Sequence, residues 1–225
     1  MLRWLPENVS TYGDRVDGVI HLVAWIVGVW FAVALGLLLY FAVRYRRPWQ
    51  PQAAYVPART RRSMAVVLVP VAAILVLDLV IEAASSRAWD TIKIHMPEPA
   101  LTVRVIGEQY AWTIVHPGAD NVLDTADDIT ELNVMHVPAG EVVQYELQAK
   151  EVIHSFFLPN LRLKQDAVPG RTVRGWFEAT RPGKYQLVCA ELCGLGHTNM
   201  RGTLEVQSPA DYQAWVAAAA PEGGR

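Results

Sequence analysis

The chain opens on apolar runs too long and unbroken for a water-facing surface. Gly18–Val43 holds 26 residues without a formal charge. As a helix it reaches about 39 Å, more than the ~30 Å of a bilayer's hydrocarbon core, so it predicts a membrane span with some tilt. A cleaved signal peptide fits poorly, because the run is too long and no small-residue cleavage site follows it. His21, near its start, reads as a helix-end or interfacial histidine. Met64–Ile81 is the second run. Its Pro70 is tolerable in a membrane helix. Asp78 interrupts it near the far end, where a carboxylate in hydrocarbon costs up to about 2.5–3.5 kcal/mol on insertion scales. Asp78 and Glu82 are expected to reach the interface or face a partner helix, with a place on a proton pathway as the alternative. The two spans are expected at about 18–43 and 64–83.

The segment between the spans carries Arg44, Arg46, Arg47, Arg59, Arg61 and Arg62 and no acid. Short basic loops stay on the cytoplasmic side. Both termini are therefore expected on the other face, the periplasm of a bacterium, with the chain in the cytoplasmic (inner) membrane.

After Asp90 the pattern changes. Thr102–Ile106, Val142–Leu147, Val173–Phe177 and Lys184–Val188 are short runs rich in Val, Tyr and Phe, several alternating with polar residues. Pro138–Ala139–Gly140, Pro169–Gly170 and Pro182–Gly183 punctuate them as turns. Short strands with frequent turns predict an all-β sandwich or Greek-key barrel. A closing helix is expected over Pro209–Ala219, with Ser208 as N-cap, Pro209 at N1 and Asp211 at N3. The organisation expected is residues 1–90 as an N-terminal tail and two-helix membrane hairpin, and residues 91–225 as a periplasmic β domain with a C-terminal helix.

Composition sharpens this picture. Charged residues are 19% of the 225, low against roughly 25% in soluble domains. The net charge of −2 divides into +3 over residues 1–90 and −5 over 91–225. No basic tract is interleaved with aromatics, which argues against nucleic-acid binding. Two cysteines four apart exclude a disulfide framework. Asp120–Glu131 holds five acids and no base. It reads as an exposed hairpin loop: a solvated turn, a surface that steers a basic partner, or a calcium site whose spacing matches no EF-hand.

The chemistry concentrates in Cys189-Ala-Glu191-Leu-Cys193-Gly-Leu-Gly-His197-Thr-Asn-Met200. Two thiols, an imidazole and a thioether lie within twelve residues. Soft sulfur and imidazole ligands select copper, zinc or iron–sulfur, and a thioether favours copper. Structural zinc sites want four Cys/His ligands, often with Cys-x2-Cys spacing, which is absent. A mononuclear blue-copper site uses one Cys and two His; here both cysteines would be used by two coppers that they bridge. That centre needs a second imidazole, and His154 supplies it 35 residues earlier. The alternative is a pair of core thiols or a disulfide with incidental histidines.

These residues resemble subunit II of cytochrome c oxidase, the binuclear copper (CuA) subunit of haem–copper oxygen reductases. The family loop Cys-x-Glu-x-Cys-x3-His-x2-Met is matched throughout by Cys189, Glu191, Cys193, His197 and Met200. Val152-Ile-His154-Ser-Phe and Leu163-Lys164-Gln165-Asp166-Ala167-Val168-Pro169-Gly170-Arg171 are also close to the family pattern. The resemblance covers roughly residues 15–220. It implies a two-helix transmembrane hairpin followed by an all-β cupredoxin-like Greek-key barrel with a C-terminal helix.

The resemblance also implies roles. Cys189 and Cys193 would bridge two Cu ions, His154 and Met200 would complete one, and His197 with the Glu191 backbone carbonyl the other. The Glu191 side chain would reach a Mg2+ or Mn2+ shared with subunit I. Electrons would come from a periplasmic cytochrome c or another carrier such as a cupredoxin, and pass to haem in subunit I. Oxygen would be reduced there, with proton translocation, and not on this chain alone. Haem-containing subunit I and other oxidase subunits are the implied partners.

Three positions depart from the family pattern. In Gly107-Glu108-Gln109-Tyr110-Ala111-Trp112, Tyr110 stands where the family has the tryptophan that receives electrons; Tyr110 and Trp112 are the candidates for that role here. Ser63 stands where members with a proton-channel entrance place Glu. Glu151 replaces the usual Asp before the copper histidine. No Cys-x-x-Cys-His haem attachment site is present, so the donor is expected on another chain. The alternatives are a CuA subunit of a nitric oxide reductase and a membrane-anchored copper chaperone. Nitrous oxide reductase is disfavoured by the two spans, and a quinol oxidase subunit by the copper ligands.

Overall fold

The computed structural model describes residues 5–47, 52 and 59–219. Most of the inter-span loop, residues 48–51 and 53–58, lies outside the described residues, as do the two chain ends expected in the periplasm.

Two long helices come first: α1, Gly13–Arg44, and α2, Arg61–Trp89. Both are long and apolar enough to cross a membrane by length and composition. They exceed the expected spans at both ends, because polar turns such as Asp14–Asp17 and Ser85–Arg87 continue the helical hydrogen bonding beyond the apolar stretch. Their large side chains, from Trp25 to Val43 and from Met64 to Val80, are exposed along most of their length. Water would not tolerate that surface, and lipid would. One π-helical turn, Asp90–Ile94, follows α2.

The remainder is a ten-stranded two-sheet domain. Its strands are β1 Leu101–Glu108, β2 Ala111–His116, β3 Ile129–Leu132, β4 Val134–Pro138, β5 Val142–Ala149, β6 His154–Leu158, β7 Leu163–Ala167, β8 Val173–Glu178, β9 Gly183–Cys189 and β10 Arg201–Gln207. One sheet runs β3-β2-β1-β5-β8, the other β4-β10-β9-β6-β7. All the expected strand runs fall within β1, β5, β8 and β9. Two pairings are parallel, β1 with β5 and β4 with β10; each closes a crossover that no local pattern announces. In β1 burial alternates residue by residue, so Val103 and Val105 enter the core while Thr102 and Arg104 stay outside. Trp112, Tyr145, Phe156 and Phe177 are the largest fully buried side chains.

Helix α3, Pro209–Ala219, closes the chain. The Asp211 N–H donates to Ser208 Oγ at 3.2 Å, and the Ser208 hydroxyl donates to Asp211 Oδ2 at 2.6 Å. The first bond is the expected Ser208 N-cap, and the second ties the cap hydroxyl to the N3 carboxylate. Trp215 of α3 stacks on His136 of β4, ring centroids 4.3 Å apart, beside fully buried His116.

The compact unit around the sheets takes in the amino-terminal segment through Val16. Residues up to Val16 thus depart from the expected 1–90 hairpin unit. Val9 and Tyr12 are buried in the sheet domain's core. The Val9 N–H donates to Asn160 O at 2.9 Å, the Thr180 N–H donates to Val9 O at 2.8 Å, and Ser10 bridges Ala179. Val9 and Tyr12, three apart in a segment of mixed polarity, carry no period, so their burial could not be read locally.

Candidate metal centre

Strand pairing assembles the site. In the β6–β9 ladder Phe156 lies opposite Cys189. His154 is two residues from Phe156 and so shares its inward face. The Cys189 N–H donates to Met200 O at 3.1 Å and the Ala190 N–H to Ser155 O at 3.0 Å, which folds the β9–β10 loop back over β6. His197 begins a 3₁₀ turn, His197–Asn199, that delivers Met200 to the interior.

Six donor atoms then face one another. The two Sγ atoms are 3.8 Å apart, and both cysteines are free and buried. His154 Nδ1 lies 3.2 Å from Met200 Sδ and 3.9 Å from Cys189 Sγ. Cys193 Sγ lies 3.6 Å from His197 Nδ1 and 3.8 Å from Met200 Sδ. The Glu191 carbonyl oxygen sits 3.2 Å from Cys189 Sγ. His154, Cys189 and Cys193 alone form a metal-competent cluster, with ligand atoms within 4.8 Å of one another. Burial, and then the neighbouring Cys189, push the Cys193 thiol up to about 11. Burial also lowers the His154 imidazole, against the pull of Glu151. A neutral imidazole is the ligand form, and a bound cation would replace the thiol protons. Soft sulfur with imidazole nitrogen, held in a buried cleft, fits copper.

Glu191 presents its backbone to this cluster while the residue itself is exposed. Trp112 is fully buried, with its ring 6.0 Å from that of His154, so it touches the site from the core side. Tyr110 is 39% exposed and lies against the Cys193–His197 loop. A Cβ added at Gly196 would come within 2.5 Å of the Tyr110 ring, and one at Gly194 equally close to its hydroxyl. Those two glycines are the seat of Tyr110.

Two supporting residues had no role assigned from the sequence. A Cβ on Gly107 would meet the His154 ring and its Cβ at 3.0–3.1 Å, so glycine there leaves room for that imidazole. Gln109 Nε2 donates to Cys193 O at 2.6 Å and pins the loop. Their signal was the Gly107-Glu108-Gln109 string just before Tyr110.

The acidic run proves to be the β2–β3 hairpin loop, with its carboxylates engaged. Arg104 holds Asp124 in a two-point pair at 2.6 and 2.9 Å, which keeps that carboxyl below the usual range. Asp127 accepts from Thr125 Oγ1 at 2.6 Å, and Asp128 from the Asp124 N–H at 2.9 Å. Glu108 likewise accepts from Lys150 and Thr113.

Comparison with known proteins follows this geometry. The family model for the cytochrome C oxidase subunit II periplasmic domain matches residues 101–207. The alternative cytochrome c oxidase subunit 2 of Bradyrhizobium diazoefficiens is 30% identical, over 95% of this chain and 82% of its own length. The chain belongs to the cytochrome c oxidase subunit II family. The cytochrome c oxidase subunit 2 of Thermostichus vulcanus is also 30% identical, over 94% of this chain and 77% of the relative. Among solved structures, the periplasmic domain of subunit II of cytochrome oxidase of Bradyrhizobium japonicum aligns with a TM-score of 0.50 at 28% identity, over 56% of this chain and 96% of that one. The subunit II fold expected from the sequence is the fold observed: two apolar helices, a cupredoxin-like β domain and a C-terminal helix. The cysteine–histidine cluster falls inside the matched region. Such subunits belong to oxidoreductase complexes, and this one has the apolar helices of a membrane-anchored subunit.

Proposed function

We propose that this chain is the electron-accepting subunit of a cytochrome c oxidase. It takes single electrons from a periplasmic cytochrome c or cupredoxin at a binuclear CuA centre and passes them to haem in subunit I, where O2 is reduced. The observation that carries this reading is the convergence of two thiols, two Nδ1 atoms, a thioether and a backbone carbonyl on one buried point.

Cys189 and Cys193 would bridge both copper ions, with His154 and Met200 on one and His197 and the Glu191 carbonyl on the other. Copper supplies one-electron redox chemistry. The chain's own residues hold the ligands rigid and exclude water, which the burial of His154, Cys189, Cys193 and Met200 accomplishes. Ligands locked by packing and by a hydrogen-bonded loop need little rearrangement when charge changes. Tyr110, exposed and lying on the Cys193–His197 loop, is the surface contact for the donor; Trp112 backs His154 from within. The outward Glu191 carboxylate suits a hard Mg2+ or Mn2+ shared with subunit I. Residues 91–219 then lie on the periplasmic side and the arginine-rich loop on the cytoplasmic side of the bacterial inner membrane.

The test uses the full chain in detergent, loaded with copper. Two Cu per chain, a purple colour and one electron shared between both ions in the mixed-valence state are expected, and Cys189→Ser or Cys193→Ser should abolish that signature. A stable one-copper or zinc-only product would overturn the reading.

A further inference from the structure

Asp78 is the ionisable residue in the otherwise apolar stretch from Met64 to Ile81. It lies sixteen residues past Arg62, about 24 Å along the α2 axis. With the arginines at one boundary of a ~30 Å hydrocarbon core, Asp78 sits about one helical turn inside the other. Glu82, one turn on, reaches that boundary and accepts from Ser86 Oγ at 3.1 Å. Asp78 is exposed on its helix, and among the described residues no hydrogen bond or ion pair engages it. Its side chain is too short to snorkel to water, and a bare carboxylate facing lipid is strongly disfavoured. Something must cover it.

The surface beside it has the form of a receptor. Asp78 borders a groove of about 430 Å³ between the helices, lined by Trp30 and Phe31 of α1 and by Ile74 and Leu77 of α2 among others. Every other lining residue is apolar. A single negative charge at the rim of an apolar, membrane-depth groove is complementary to a helix carrying one basic side chain among apolar ones. Proton relay is the competing use of such a residue. A relay needs hydrogen-bonding groups on its approach, and α2 from Met64 to Leu77 offers only apolar side chains.

We propose that Asp78 is an intramembrane docking residue: it and the adjoining groove receive a transmembrane helix of the haem-bearing subunit that presents a basic side chain at this depth. The proposal rests on the oxidase reading above and adds the place and chemistry of the contact.

The experiment uses the assembled oxidase extracted from membranes with an affinity tag on this chain, reading haem and copper recovered per chain. Asp78→Leu and Asp78→Lys should lower haem per chain tenfold or more while the purple copper spectrum persists, and Asp78→Asn should fall between. A photoreactive residue at Ile74, one turn earlier on the groove, should cross-link to the haem subunit; one at Val76, on the opposite side of α2, should not. The persisting copper spectrum shows that a variant's β domain is folded, and recovery of the chain from the membrane fraction shows that it is inserted. Wild-type haem recovery in all three variants would overturn the proposal, as would cross-linking from Ile74 to lipid alone. Full assembly of Asp78→Asn with loss of proton translocation would also overturn it and make Asp78 a proton carrier. Absence of the copper pair in the parent chain would instead overturn the oxidase reading.

Discussion

Removal of the Tyr12 side chain tests the unforeseen attachment of the amino-terminal segment to the β domain. Tyr12 is 3% exposed. Its ring packs edge-on against Trp176 at 5.2 Å between centroids, and its hydroxyl donates a long bond of 3.4 Å to Trp176 O. Burial holds that hydroxyl protonated far above the usual tyrosine range. Truncating a buried aromatic to alanine costs about 3–5 kcal/mol. The low end of that range, about 3 kcal/mol, is expected here. The parent is a soluble chimera in which residues 5–16 join residues 90–219 through ten Gly/Ser residues. Such a linker spans about 17 Å, ample where Arg15 already reaches Thr91 Oγ1 at 2.7 Å. In a domain of this size 3 kcal/mol corresponds to a fall of about 10 °C in Tm. Thermal unfolding of the metal-free chimera, followed by tryptophan fluorescence, gives the number. Tyr12→Phe keeps the packing and loses only the long hydrogen bond, so it should cost about 1 kcal/mol or less. The copper spectrum of loaded Tyr12→Ala should match the parent, because every proposed ligand comes from β6, the end of β9 and the β9–β10 loop. A Tm for Tyr12→Ala within about 2 °C of the parent would refute the reasoning and make the segment a loose tail.

Tyr110→Ala should slow electron uptake from a soluble cytochrome c about tenfold, the loss of one docking anchor, at low and high salt alike and with the copper spectrum retained; unchanged stopped-flow rates would place the donor elsewhere. His116 governs acid lability. Burial and the neighbouring His136 push it down to about 3, whereas the unfolded imidazole titrates near 6.5. The unfolded chain therefore binds the extra proton between those values, so stability is full above about pH 6.5 and falls toward pH 3, by up to about 1.4 kcal/mol per pH unit from this group. His116→Gln, which can still accept from the His136 N–H, should show a shallower fall in urea midpoint between pH 6.5 and 4.5; an unchanged slope would remove His116 from the account.

Much of this protein was legible because the information is local. Apolar runs of membrane length, the second broken only by Asp78, announce α1 and α2, since hydrocarbon demands apolar side chains over a fixed distance. Alternation in Leu101–Glu108 announces a half-buried strand, since successive side chains point to opposite faces. The Ser208–Asp211 cap is contained in four residues. The Cys189–Met200 segment carries five of the candidate ligand residues within twelve positions, so its chemistry could be read before its shape. Tertiary structure alone decided the rest, because those facts depend on pairing between distant segments. The β6–β9 register carries His154 to Cys189 across 35 residues. Gly107 matters only because His154 arrives above it, and Gly194 and Gly196 only because Tyr110 lies on them. Asp124 reads as a free surface charge until the fold sets Arg104 beside it. Trp112 and Tyr110 look alike as nearby aromatics, yet Trp112 sits within β2 with its ring in the core beside His154, while Tyr110 sits in the turn between β1 and β2 and stays at the surface. Val9 and Tyr12 belong to the core because β8 and the turn after β6 leave a slot that two residues from the start of the chain fill.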